Sequence, residues 1–163
     1  MIGKEYLRVV TDRFRYMKKI AEDAMKQVSD SSLFWYENED SNSIAVIVKH
    51  MSGNMVSRWT DFFTADGEKE TRNRDNEFKQ SFIGRPDIMN CWDRGWNIFL
   101  STLEGLKEED LLKVVTIRNE PHSVMEAIER QMYHYSYHVG QIVYISKQLS
   151  SQEWKSLTIP RVK

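Results

Sequence analysis

Apolar residues recur at the three-to-four spacing of helices in four separate stretches of the chain. The first runs from about residue 4 to residue 28, with Val9, Val10, Phe14, Met17, Ala21, Ala24 and Val28 on one face, and "SDSS" ends it. The second begins near "DSNS", whose Ser and Asn side chains can cap exposed amides. It carries Ile44, Val48, Met51, Met55, Trp59 and Phe62 as far as "TADG". The third opens at "GRPD", with Pro86 suited to a first helical turn. It buries Ile88, Trp92, Phe99 and Leu103, and Gly105 is placed to stop it. The fourth starts at Ser123, where Glu126 three residues on completes a capping box, and continues to about Leu149.

The intervening segments are less regular. Residues 66–85 are polar with alternating charge and predict a long connection, of the kind that is often functional or mobile. "LLKVVTIRNE" is β-branched for a few residues and predicts a short extended piece before the last helix. The tail "SSQEWKSLTIPRVK" predicts an irregular segment that docks Trp154 and Ile159 onto the helices. There is no internal repeat and no low-complexity tract. The pattern therefore predicts an all-α fold, a four-helix bundle in one domain spanning residues 1–163. Its topology is up-and-down, or a crossover variant that uses the long loop.

Composition agrees with one globular domain: 163 residues, 40% hydrophobic and 29% charged, with only seven glycines and three prolines to turn the chain. A formal net charge of -1 with mixed signs gives no support for a nucleic-acid or anionic-membrane partner. No run approaches the roughly 18 apolar residues of a membrane-spanning helix. The N-terminal "MIGKEYLRVVTDRF" lacks the apolar core of a secretory signal. Cys91 is the only cysteine, which excludes an intramolecular disulfide and a thiolate-rich zinc site. A reducing, cytoplasmic setting is the expectation.

The candidate chemistry lies in "HYSYH". His134 and His138 stand four apart on the last helix, so their imidazoles share a face about 6 Å apart along the axis and can converge on one ion. The spacing is that of H-E-x-x-H, but Tyr135 stands where that motif has its general base, which excludes the peptidase. His50, well inside the second helix, is the natural third ligand. By helical angles it lies roughly 100–120° from its stripe, while His138 and His134 lie roughly 70° and 110° from theirs in the same sense. All three are expected to flank the core beside a cleft open to water or substrate. Two partly exposed histidines at the same spacing would be the structural alternative. His122 is expected in a turn, and Cys91 as a small buried hydrophobe. Tyr133, Tyr135 and Tyr137 are expected as packing and surface residues. No Glu-x-x-His occurs, which argues against a carboxylate di-iron bundle. No phosphate-binding loop or serine nucleophile elbow occurs either.

The stretches "VKHMSGNMVSRWTDF" and "HYSYHVGQIVYISK", with "WKSLTIPR" near the end, resemble the DinB-like (DinB/YfiT-like) superfamily, and within it a bacterial subfamily of unknown function. The resemblance covers nearly the whole chain. It implies a helical bundle, often homodimeric, with a divalent metal such as zinc or nickel on His50, His134 and His138. Some relatives are thiol S-transferases using low-molecular-weight bacterial thiols, others resemble metal-dependent hydrolases or isomerases, and many have no assigned activity.

Three imidazoles leave a coordination position free, as catalytic zinc sites do. Asn54 and Gln141, each one turn beyond a ligand, are candidates to orient a small-molecule substrate or water. Arg130, one turn before His134, is a candidate to hold an anionic group. Gly140 either admits a neighbouring backbone or is a tolerated helix glycine. The competing reading is a non-catalytic bundle that dimerises or binds a partner, its metal structural or adventitious.

Overall fold

A computed structural model of the chain describes residues 1–150 and 154–160. It is mostly helical, with five α-helices and one two-stranded antiparallel sheet. Helix α1 is Ile2–Met25, α2 is Ile44–Trp59, α3 is the single turn Arg74–Glu77, α4 is Arg85–Gly105 and α5 is Val124–Leu149. The hairpin of β1, Val114–Ile117, and β2, Glu120–Ser123, precedes α5. Among the described residues no helix is long and apolar enough to cross a membrane.

The four long helices follow the apolar periodicity. One aromatic residue from each meets at the centre. Phe14 of α1 lies edge-on to Phe99 of α4 at 4.5 Å, and Phe99 is 4.7 Å from Trp59 of α2 and 5.4 Å from Tyr135 of α5. All four are essentially inaccessible, so each contributes roughly the 1.5–3 kcal/mol of a fully buried large side chain. Helix α2 packs most extensively on α4, and α1 on α5. Ser43 caps α2 by accepting from the Val46 amide at 3.2 Å. Ser123 and Glu126 form the expected reciprocal box at the start of α5.

Several expectations need correction. The first helix ends at Met25 and Val9 is exposed, because Val10 takes the buried face beside it. Val28 and Phe62 are buried, but beyond the ends of their helices. The short extended piece is a complete hairpin. Arg118 and Asn119 both adopt positive φ, 56° and 62°, at its two-residue turn, the left-handed pair that matches strand twist. His122 belongs to β2, opposite Val115, rather than to a turn. Trp154 packs against the core as expected, but Ile159 is 91% exposed. Residues 154–160 carry no helix or strand, as expected, and residues 151–153 and 161–163 of the tail lie outside those described.

The polar segment after α2 departs furthest from expectation. It is fastened to α2 and to the hairpin by its own polar groups. Ser57 Oγ donates to the Gly67 carbonyl at 3.0 Å and accepts from the Lys69 amide at 2.9 Å. The Gly67 amide donates to the Thr116 carbonyl at 2.8 Å. The Asp66 carboxylate accepts from the Arg118 and Asn119 amides at 2.9 and 2.8 Å, closing the hairpin turn. Lys49 Nζ then donates to the carbonyls of Asn76, in α3, and Lys79, just past it, at 2.7 and 2.9 Å. The segment is thereby held along the flank of α2 that carries His50.

Candidate metal centre

The three histidines converge. His134 Nε2 lies 3.3 Å from His50 Nε2 and 3.1 Å from His138 Nε2, and one ring nitrogen from each residue fits within a 4.8 Å cluster. Ligands on one cation at Zn–N distances of about 2.0–2.1 Å stand about 3.3 Å apart in a tetrahedral arrangement. The donor set therefore fits a small divalent cation.

Hydrogen bonds on the far side of two rings fix which nitrogen faces inward. His50 Nδ1 is 2.9 Å from Glu77 Oε2. The Glu77 carboxyl is buried, which pushes its pKa up, but hydrogen bonds from His50 and Arg72 outweigh that and hold it below the ordinary value. An ionised carboxylate only accepts, so Nδ1 carries the proton and Nε2 presents its lone pair to the centre. His138 Nδ1 stands in the same relation to Gln141 Oε1 at 2.9 Å. Such outer contacts are what orient metal-binding imidazoles and raise their basicity.

Glu77 is in turn clamped. Arg72 donates from Nε to Oε1 and from Nη2 to Oε2, both at 2.8 Å, and from Nη1 to Glu68 at 2.9 Å. A line of contacts thus runs from His50 through Glu77 and Arg72 to Glu68. Phe78, the residue after α3, stacks on the His50 ring at 4.8 Å between centroids. Glu77, Arg72 and Phe78 all come from the polar segment that the sequence shows only as a connection. A helical capping signature, Asn73 accepting from the Asn76 amide at 3.0 Å, was the one local sign that this segment orders.

Because that segment covers α2, the site is more enclosed than helical angles imply. His50 is 5% exposed and His138 9%, while His134 is partly exposed. Burial, reinforced by the neighbouring imidazoles and by Arg58 and Arg72, pushes the pKa of His134 down to about 3. Burial likewise lowers that of His138, against the hydrogen bond its Nδ1 donates to Gln141. Both rings are therefore neutral near pH 7, the state in which imidazole binds a metal.

The other candidate residues fall around this centre in different ways. Gln141 holds His138 from behind. Asn54, 5% exposed, accepts from the buried Tyr135 hydroxyl at 3.2 Å. Asn54 and Arg130 line a cavity of about 380 Å³ with His50 and His134. Tyr133 and Tyr137 are exposed. Cys91 is half-buried against the core, its carbonyl accepting from Ser52 Oγ at 2.7 Å. No neighbouring atom approaches the Cβ position of Gly140 within 4 Å, so it is a tolerated helix glycine rather than a backbone crossing.

A search of curated proteins finds no match to this chain. The family described as "Protein of unknown function (DUF1572)" matches it over residues 1–163. The whole length of the chain therefore belongs to the DUF1572 family.

Proposed function

We propose that this chain is a metal-dependent enzyme of the four-helix-bundle, DinB-like kind, with one divalent cation, zinc or nickel, on His50, His134 and His138. The observation that carries this reading is the inward convergence of three Nε2 atoms, with the opposite nitrogens of His50 and His138 engaged by Glu77 and Gln141. The lone pairs of His50 and His138 Nε2 face the point that His134 Nε2 also faces, and a cation there would take all three nitrogens as ligands. A cation held there supplies Lewis-acid chemistry, lowering the pKa of a thiol or water presented to it.

The chain's own groups do the rest. Glu77 and Gln141 keep the protons of His50 and His138 on Nδ1. Arg72 keeps Glu77 ionised and in place. Phe78 covers the His50 ring and excludes water from that side. His134 and Asn54 border the cavity, so a substrate approaches from there. Asn54 orients it through its amide, and Gln141 acts on the reaction by positioning His138. The resemblance to DinB-like proteins favours a thiol S-transferase using a low-molecular-weight bacterial thiol, and a homodimer. Tyr133, Tyr137 and Tyr144 form an exposed aromatic stripe on α5 that suits such an interface.

The test uses protein purified without a histidine tag. Wild type is expected to retain about one equivalent of zinc or nickel, and His134→Ala to lose it. Wild type is then assayed for thiol transfer with several thiols and electrophiles. Metal retained by wild type without turnover of any thiol or hydrolysable substrate would favour the non-catalytic, partner-binding reading. Equal metal in wild type and His134→Ala would refute the site.

A further inference from the structure

The cavity bordered by His50 and His134 is walled by arginine. Arg58 comes from α2, Arg72 and Arg74 from the polar segment, Arg118 from the hairpin turn and Arg130 from α5. Two carboxylates face these five guanidinium groups. Glu68 is shared by Arg58 at 3.6 Å, Arg72 at 2.9 Å and Arg118 at 3.1 Å, and Glu77 is shared by Arg72 and His50. Arg74 lies over the Phe78 ring at 5.1 Å, and among the described residues neither it nor Arg130 has a carboxylate partner. Burial lowers the pKa of Arg58 to about 10, and the charge of Arg130 contributes in the same direction. The positive charge here is thus excess charge, gathered on a chain whose net charge is -1.

Gln131 adds an independent sign. It lines the same cavity and is 1% exposed, yet neither atom of its side-chain amide has a hydrogen-bond partner among the described residues. Buried amides are rarely left so; a ligand in the cavity, met by a small turn of this side chain, would complete the hydrogen bonding.

We propose that this cavity binds the oxyanion group, phosphate or carboxylate, of a small substrate whose reacting atom faces the histidine trio. The proposal rests on the metal-centre reading for its chemistry, but not for the binding of the anion. Guanidinium forks suit a planar or tetrahedral oxyanion through paired N–H donors. Arg130 and Arg74, free of carboxylates, are the groups that clamp it. Arg58 adds charge from the cavity wall, and the Gln131 amide nitrogen donates. Arg72, committed to Glu77 and Glu68, remains a positioning residue for His50.

The test is calorimetric titration of inorganic phosphate, with malonate as a second arm, at low ionic strength into metal-free and singly zinc-loaded protein. Zinc binding is titrated separately. One phosphate or malonate is expected to bind metal-free wild type, and the tighter of the two names the group. Arg130→Gln and Arg74→Gln are each expected to weaken it about tenfold or more, the loss of one charge-assisted contact. Arg8→Gln, a distant exposed change of equal charge, is expected to leave it unaltered. Gln131→Met, which removes an unpaired buried amide and so keeps the fold, is expected to weaken anion binding; unchanged anion affinity in it would take Gln131 out of the pocket. Anion binding to metal-free protein with no zinc binding would uphold the pocket and refute the metal centre. Anion binding only to zinc-loaded protein and insensitive to Arg130→Gln, or no binding of either anion, would overturn the pocket while leaving the metal centre standing.

Discussion

Gly53 and Glu77 occupy one slot. A Cβ on residue 53 would sit 2.6 Å from Glu77 Cδ and closer still to Oε1, so only glycine leaves room for the carboxylate that reaches His50. Gly53 is in the middle of α2, where alanine would otherwise be favoured by roughly 0.5–1 kcal/mol. Its presence there is explained by the site rather than by the helix.

Gly53→Ala is therefore expected to push Glu77 outward, breaking its contact with His50 and its fork with Arg72. The displaced carboxylate leaves buried Arg72 with Glu68 alone, so the melting temperature is expected to fall as well, offset in part by the preference of the helix for alanine. Metal affinity is expected to fall about 10–100-fold, the usual cost of losing an outer-sphere partner. Glu77→Gln is expected to do the same without any change at residue 53. Parallel zinc titrations of the two variants, with thermal melts, check this.

Gly95→Ala should act on the packing of the helices rather than on the site. Its Cβ would lie 2.8 Å from Ser52 Cα, which is backbone of the neighbouring helix and cannot swing aside. Here α4 and α2 must separate, at about the 1–3 kcal/mol of an overpacked core. Denaturant unfolding is expected to show that loss, with a smaller effect on metal affinity than Gly53→Ala has.

Acid should destabilise the metal-free protein earlier than its carboxylates alone would. His134 has its folded pKa depressed to about 3, and an unfolded histidine titrates near 6.5. Between those values the unfolded chain binds more protons than the folded one. The contribution to stability is thus complete above about pH 6.5 and is lost as pH falls towards 3. His138 is shifted in the same direction. Melts of metal-free protein from pH 7 to pH 4 are expected to show a falling transition temperature, with a shallower fall in His134→Asn.

The contrast between what the chain shows in one dimension and what it hides is physical. Helices α1, α2, α4 and α5 carry their own periodicity and, at Ser43, Pro86 and Ser123, their own caps, so they are legible. His134 and His138 are legible because i, i+4 spacing fixes their relation within one element, and His50 because few other histidines exist. Glu77 and Arg72 carry no such signal. They lie in a polar segment whose order comes from contacts with Ser57, Thr116 and the hairpin turn, all set by tertiary structure. The arginine wall is invisible for the same reason: its members come from four parts of the chain and meet only in the fold. The angular estimate placed His50 too near the surface because α2 is buried on nearly every side, by α4 on one flank and by the polar segment on the other.

The most direct measurement is anomalous diffraction at the zinc and nickel edges from crystals of tag-free protein. The expected result is one peak per chain, about 2.0–2.1 Å from Nε2 of His50, His134 and His138, with a remaining position towards the arginine-lined cavity. Metal-replete crystals with no peak among the three rings, or with the His50 ring turned so that Nδ1 faces inward and its bond to Glu77 is lost, would contradict it.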